Sequence, residues 1–173
     1  MIHQRYFISA CLLGQKVRYD GKDCLVSELV QALLDKNYVS LCPEVSAGLP
    51  TPRPAAEIRH GSGADVLLGQ AQVFSSDGHQ ISDVFIQGAY KALALAQANH
   101  VTHAVLKANS PSCGSDGIYD GSFTGQKIAG EGITAALFRQ HGIHVVTEQQ
   151  FLAELTQTKL LMNQTKQSRR TTK

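Results

Sequence analysis

The sequence predicts an α/β protein, a Rossmann-like three-layer sandwich with a mostly parallel sheet. Short apolar, β-prone runs alternate with longer segments of helical period, and glycine and proline mark their boundaries. A chain of 173 residues with 43% hydrophobic residues holds one core, not two. Strands joined by helical crossovers pair in parallel and are covered on both faces.

Tyr6–Leu13 reads as the first strand. Leu25–Asp35 reads as a helix because Leu25, Leu29, Ala32 and Leu33 share one face. Tyr38–Cys42 is the next strand. Residues 43–64 carry four prolines and three glycines with little periodicity, so they read as a long loop and a candidate site wall. Ala64–Phe74 reads as a strand, turned by Ser75–Gly78 into an alanine-rich helix that runs to Asn99 with Ser82 as its N-cap. Thr102–Ala108 is a continuous β-prone run. It is followed by a glycine-rich loop, Ser110–Gly132, and by a helix over Ile133–Gln140 that Gly142 stops. Ile143–Thr147 makes the last strand and Phe151–Met162 a last helix. The domain therefore spans residues 1–162, and the polar, basic end 163–173 is expected to be disordered. Tyr19–Gly21 and Tyr119–Gly121 repeat one turn-forming triplet, whose tyrosines and aspartates read as turn builders around the pocket rather than as chemical groups.

Charge narrows the function. Sixteen Lys and Arg stand against 14 Asp and Glu, a net charge of +2, and part of the excess lies in Lys166, Arg169, Arg170 and Lys173. A near-neutral body argues against a nucleic-acid partner and against an anionic membrane surface. The longest apolar stretches reach about half of the roughly 20 residues that a membrane span needs, and the N-terminus lacks the order of a signal peptide. The expected location is the cytoplasm, where free cysteines point to metal binding or thiol chemistry rather than to disulfides.

None of Cys11, Cys24, Cys42 and Cys113 forms a C-x-x-C pair. In a parallel sheet, however, ligands bind beyond the carboxyl ends of the strands. Cys11 falls late in the first strand, Cys42 ends the second, and Cys113 lies in the loop after Thr102–Ala108, so the three could share one metal centre. Cys24 does not fit this placement. The histidines at 60, 79, 100, 103, 141 and 144 are scattered without ligand spacing.

The segments around those cysteines are distinctive. They are Ser9–Gly14, Cys42–Pro54 (Cys-Pro-Glu, then Gly-Leu-Pro-Thr-Pro-Arg-Pro), and Ser110-Pro-Ser-Cys-Gly114, followed by Ile118–Phe123. Together they resemble the thiouracil desulfidase family, over about Ile8 to Thr147. The resemblance implies a [4Fe-4S] cluster held by Cys11, Cys42 and Cys113, with one iron left open for the sulfur of a thiolated nucleobase, nucleoside or nucleotide. It implies Glu44 as the proton-transfer residue and Ser110 beside the substrate. Cys24 has no counterpart motif. The stretch Gly78–Ser82 departs from the family, with Gln80 at an acidic position and Ser82 at a threonine, which bears on helix capping or substrate choice.

The residues make the same chemistry plausible. Three thiolates leave one iron of a cubane without a protein ligand, and a soft thiocarbonyl sulfur suits that iron. A carboxylate two residues after a ligand is placed to move protons. A non-catalytic sensor is the alternative, with three thiolates and a fourth protein ligand, Cys24 or a histidine, around zinc or a cluster. A flavodoxin-like nucleotide binder lacks the expected phosphate loop after the first strand. Arg53, set between two prolines, reads equally as a brace paired with Glu57 and as an anion- or base-recognising group. Lys107 reads as a strand-end lysine at the mouth.

Overall fold

The computed structural model describes residues 4–168. Four parallel strands form the central sheet: β1 (Arg5–Ser9), β2 (Asn37–Leu41), β5 (His103–Leu106) and β8 (His144–Thr147), in the order β2-β1-β5-β8. The helices are α1 (Ser27–Ala32), α2 (Pro43–Ser46), α3 (Gly63–Leu67), α4 (Ser82–Ala98), α5 (Ile133–Gln140) and α6 (Glu148–Ser168). Two small antiparallel pairs complete the fold, β3 (Ala56–Arg59) with β4 (Gln72–Ser75), and β6 (Ile118–Tyr119) with β7 (Lys127–Ile128).

Side-chain alternation along the strands builds one hydrophobic layer on each face of the single central sheet. Phe7, Ala104, Leu106 and Val145 face α3, α4 and α5, where Phe7 meets Phe138 edge-on with ring centroids 5.0 Å apart. Tyr6, Ile8, Val105 and Val146 face α1 and α6 through Leu29, Leu33 and Phe151. The expected three-layer sandwich is therefore present. The chain starts in the middle of the sheet, moves out to β2 and then crosses to β5, so β1 and β5 flank the point where the winding reverses. Such a point opens a crevice at the carboxyl ends of the strands.

Several boundaries differ from expectation. The first strand stops at Ser9 and tightens into a 3₁₀ turn over Ala10–Leu13, closed by Gly14 at φ 90°. The Leu25–Asp35 helix begins only at Ser27, because Val26 is extended and donates its N–H to Leu12 O at 3.0 Å. Residues 43–64 are not one loop: they contain α2, β3 and the start of α3. The first half of the expected Ala64–Phe74 strand is α3, started by Asp65, whose Oδ2 accepts the Ser62 N–H at 2.7 Å. Ser82 does not cap α4. Ile81 holds that position, and Ser82 Oγ instead accepts the Val73 N–H at 2.9 Å, pinning the helix to β4. Helix α6 begins at Glu148 and continues to Ser168, through part of the stretch read as disordered; the rest of that stretch, residues 169–173, lies outside the described residues.

Glycines set the close approaches that shape the crevice. A Cβ on Gly88 of α4 would lie 2.4 Å from Pro43 O, so α2 rests directly on α4. Gly88→Ala should therefore destabilise the fold by about 1–3 kcal/mol, the usual cost of overpacking. Chemical denaturation of the variant and the parent checks this, and equal midpoints would show that the contact relaxes freely.

Candidate active site

The crevice is a cavity of about 350 Å³, at the small end of the roughly 300–1,000 Å³ usual for ligand pockets. Cys11, Cys42 and Cys113 all line it, as do Glu44, Arg53, Glu57, Lys107 and Ser110. Each cysteine arrives from a different strand end: Cys11 from the turn after β1, Cys42 at the N-cap of α2 after β2, and Cys113 from the loop after β5.

Burial dominates the thiols. The Cys11 pKa is pushed up to about 12, first by desolvation and then by the neighbouring Cys24 and Cys42, with Lys107 and Arg18 opposing. Burial also raises Cys42 against the stabilising amides of α2, and it raises Cys113 most strongly against a hydrogen bond from Ser9. All four cysteines are free. Among the described residues no three His, Cys, Asp or Glu side chains are grouped closely enough for a single metal ion. Three thiols spread around one cavity suit instead a polynuclear cluster, whose thiolates bind separate irons. The donor set is soft, and a bound cation would favour the thiolates that burial disfavours.

Glu44 is held from both sides. Its Oε2 accepts Arg53 Nε at 2.8 Å and Arg53 Nη2 at 2.7 Å, and its Oε1 accepts the Ser112 hydroxyl at 3.2 Å. The remaining Arg53 donors reach Val17 O at 3.0 Å, Pro50 O at 3.1 Å and Thr51 Oγ1 at 3.3 Å. Arg53 thus pairs with Glu44, not with Glu57 as the sequence suggested, and this fully occupied fork orients one carboxylate. The cue was present in the rigid Pro52-Arg53-Pro54, but the partner could not be read from it.

Ser110 Oγ accepts the N–H groups of Ser112 and Cys113, both at 3.1 Å. It shapes the loop that carries Cys113 while lining the cavity, and its own proton remains to be donated. Helix α5 supports the same loop, since Ile133 N and Thr134 N donate to Pro111 O and Ser112 O at 2.9 and 2.8 Å. Lys107 is braced by Glu148 Oε1 at 3.0 Å.

Cys24 lies outside the lining. Arg18 Nη1 donates to its sulfur at 2.6 Å, and its N–H bonds Cys11 O at 2.9 Å. Among the described residues no histidine lines the cavity. His103 and His144 do come together, with rings 5.4 Å apart, but at the amino-terminal ends of β5 and β8. The fourth ligand that a closed sensor site requires is therefore not supplied by these groups. The two Tyr-Asp-Gly triplets act as turns: Asp20 accepts the Lys22 N–H, Asp120 accepts the Ser122 N–H, and Gly21 and Gly121 have positive φ.

The profile of a family described as 2-thiouracil desulfurase matches residues 7–150. A Bacillus subtilis (strain 168) protein described as uncharacterized protein YbbK is 44% identical over 142 residues, covering 82% of this chain and 93% of that one. A solved structure described as the [4Fe-4S]-dependent thiouracil desulfidase TudS is 45% identical and superposes with a TM-score of 0.77, covering 91% of this chain and 99% of that one.

Proposed function

Because the chain belongs to the 2-thiouracil desulfurase family, we propose that its cavity holds a [4Fe-4S] cluster on Cys11, Cys42 and Cys113, with Glu44 transferring protons and Ser110 contacting the substrate. The protein is an iron–sulfur-dependent desulfidase for a thiouracil-type substrate, and the sensor reading is not favoured. The observation that carries the residue assignment is the convergence of three buried soft thiols and one clamped carboxylate on a single cavity.

The overall change is C=S plus water giving C=O plus hydrogen sulfide, with no net electron transfer. When bound through three thiolates, a cubane cluster supplies one open iron as a soft Lewis acid toward the thiocarbonyl sulfur. Glu44, fixed by Arg53, accepts a proton from water as it attacks the carbon and returns it to the departing sulfur. Ser110 offers its hydroxyl proton to a base heteroatom. Lys107 and Arg18 lower the cost of thiolate charge at Cys11. Among the described residues no helix is long and apolar enough to cross a membrane. The free cysteines support a reducing, cytoplasmic setting.

The test is anaerobic purification with iron and sulfide analysis, followed by an assay of sulfide released from thiouracil. About four irons per chain and stoichiometric conversion to uracil are expected. A protein that binds its cluster but releases no sulfide from any thiopyrimidine is a sensor, and the proposal fails.

A further inference from the structure

Glu57 of β3 is a carboxylate that neither the fold nor the chemistry above uses fully. It is only 8% exposed, and buried carboxylates are almost always paired. None of the ion pairs among the described residues includes it. Its Oε2 accepts two backbone N–H groups, from Gly121 at 2.9 Å and Phe123 at 3.0 Å. Its Oε1 accepts no hydrogen bond from the described residues. That oxygen is not sealed inside the protein either, since among the described residues the side-chain atoms buried without a partner are Ser115 Oγ and Thr134 Oγ1. Glu57 lines the same cavity as the three cysteines, so a carboxylate with one unclaimed oxygen borders the space where a substrate would lie.

A buried acceptor that reserves one oxygen for a cavity suits a ligand donor. A uracil-type ring offers one at N3–H, which lies between C2 and C4 and so adjoins the thiocarbonyl whichever carbon carries the sulfur. Resting on the function proposed above, we infer that Glu57 determines specificity by accepting this ring N–H on Oε1. A thiocytosine-type ring presents a lone pair at the same place and is repelled by the carboxylate. The other oxygen holds the Gly121–Phe123 turn, which is pressed so tightly on β3 that a Cβ on Gly121 would stand 2.7 Å from Ile58 O. Base recognition is thereby tied to the wall that carries Tyr119 and Gly125.

The test compares 2-thiouracil with 2-thiocytosine on anaerobic holoenzyme and on Glu57→Gln, with uracil and cytosine as competitive inhibitors to read binding apart from turnover. In the variant the amide oxygen keeps the Gly121 and Phe123 N–H groups and turns its NH₂ toward the cavity, replacing an acceptor by a donor. The wild type should prefer thiouracil. The variant should lose roughly 10- to 100-fold in kcat/KM for thiouracil, the usual range for a hydrogen bond to a charged group, while its thiocytosine-to-thiouracil ratio and its affinity for cytosine rise. An equal loss on both substrates would make Glu57 only a loop brace and overturn the inference. If Glu57→Gln loses its cluster, wild-type enzyme with 3-methyl-2-thiouracil decides: turnover equal to that of 1-methyl-2-thiouracil also overturns it. No sulfide from any wild-type reaction would remove the function itself, a result distinct from active enzyme with unchanged selectivity.

Discussion

Replacing Cys11, Cys42 or Cys113 by alanine should abolish cluster retention and sulfide release together, while Cys24→Ala keeps both. A cubane that must leave one iron open has no spare protein ligand, so the loss of any of the three thiolates leaves two, and no histidine in the cavity lining can substitute among the described residues. Burial holds all three thiols protonated in the free protein, with Cys11 pushed up to about 12. Cluster binding must therefore release protons, and affinity should fall as pH falls. Cys24 differs in kind. Its sulfur is the acceptor for Arg18 outside the cavity lining, and Arg18 retains Asp20 at 3.2 Å when that sulfur is removed. Iron and sulfide per chain after anaerobic reconstitution check this result. Retention in any of the first three variants, or equal loss in Cys24→Ala, overturns the ligand assignment.

The positions of those cysteines were legible because a parallel sheet delivers its carboxyl ends to one edge, whatever the sequence separation. The helix over Ile133–Gln140 was legible for a local reason, an apolar helical period stopped at Gly142, which has φ 75°. What escaped depends on partners remote in sequence. Strands β3 and β4 are four residues each, and only their mutual pairing makes them strands. Arg53 finds Glu44 because α2 turns the carboxylate back toward the proline-flanked arginine, whereas Glu57, the nearer choice along the chain, is taken by backbone amides 64 and 66 residues away. Ser82 was read as a cap from its place before a helical run, but the unpaired Val73 N–H claimed its hydroxyl.

Glu44→Gln should keep the cluster and lower sulfide release per cluster by about 10²- to 10⁴-fold, the range that a positioned acid–base group supplies. The substitution separates charge from shape. A glutamine oxygen can still accept Arg53 Nε and Nη2, and its NH₂ can donate to Ser112 Oγ, so the contacts at 2.8, 2.7 and 3.2 Å survive in form. Arg53 also keeps its bonds to Val17 O, Pro50 O and Thr51 Oγ1, so the loop it braces should hold. What is lost is the ability to take a proton at neutral pH. An effect confined to the chemical step lowers kcat and leaves KM near its parent value when substrate binding equilibrates. A carboxylate serving only as the partner of Arg53 would give the opposite pattern, because weakening a buried pair costs stability and cluster occupancy rather than rate per cluster. Anaerobic turnover normalised to measured iron, read beside the thermal midpoint, distinguishes the two, and an unchanged rate per cluster would remove Glu44 from the proton path.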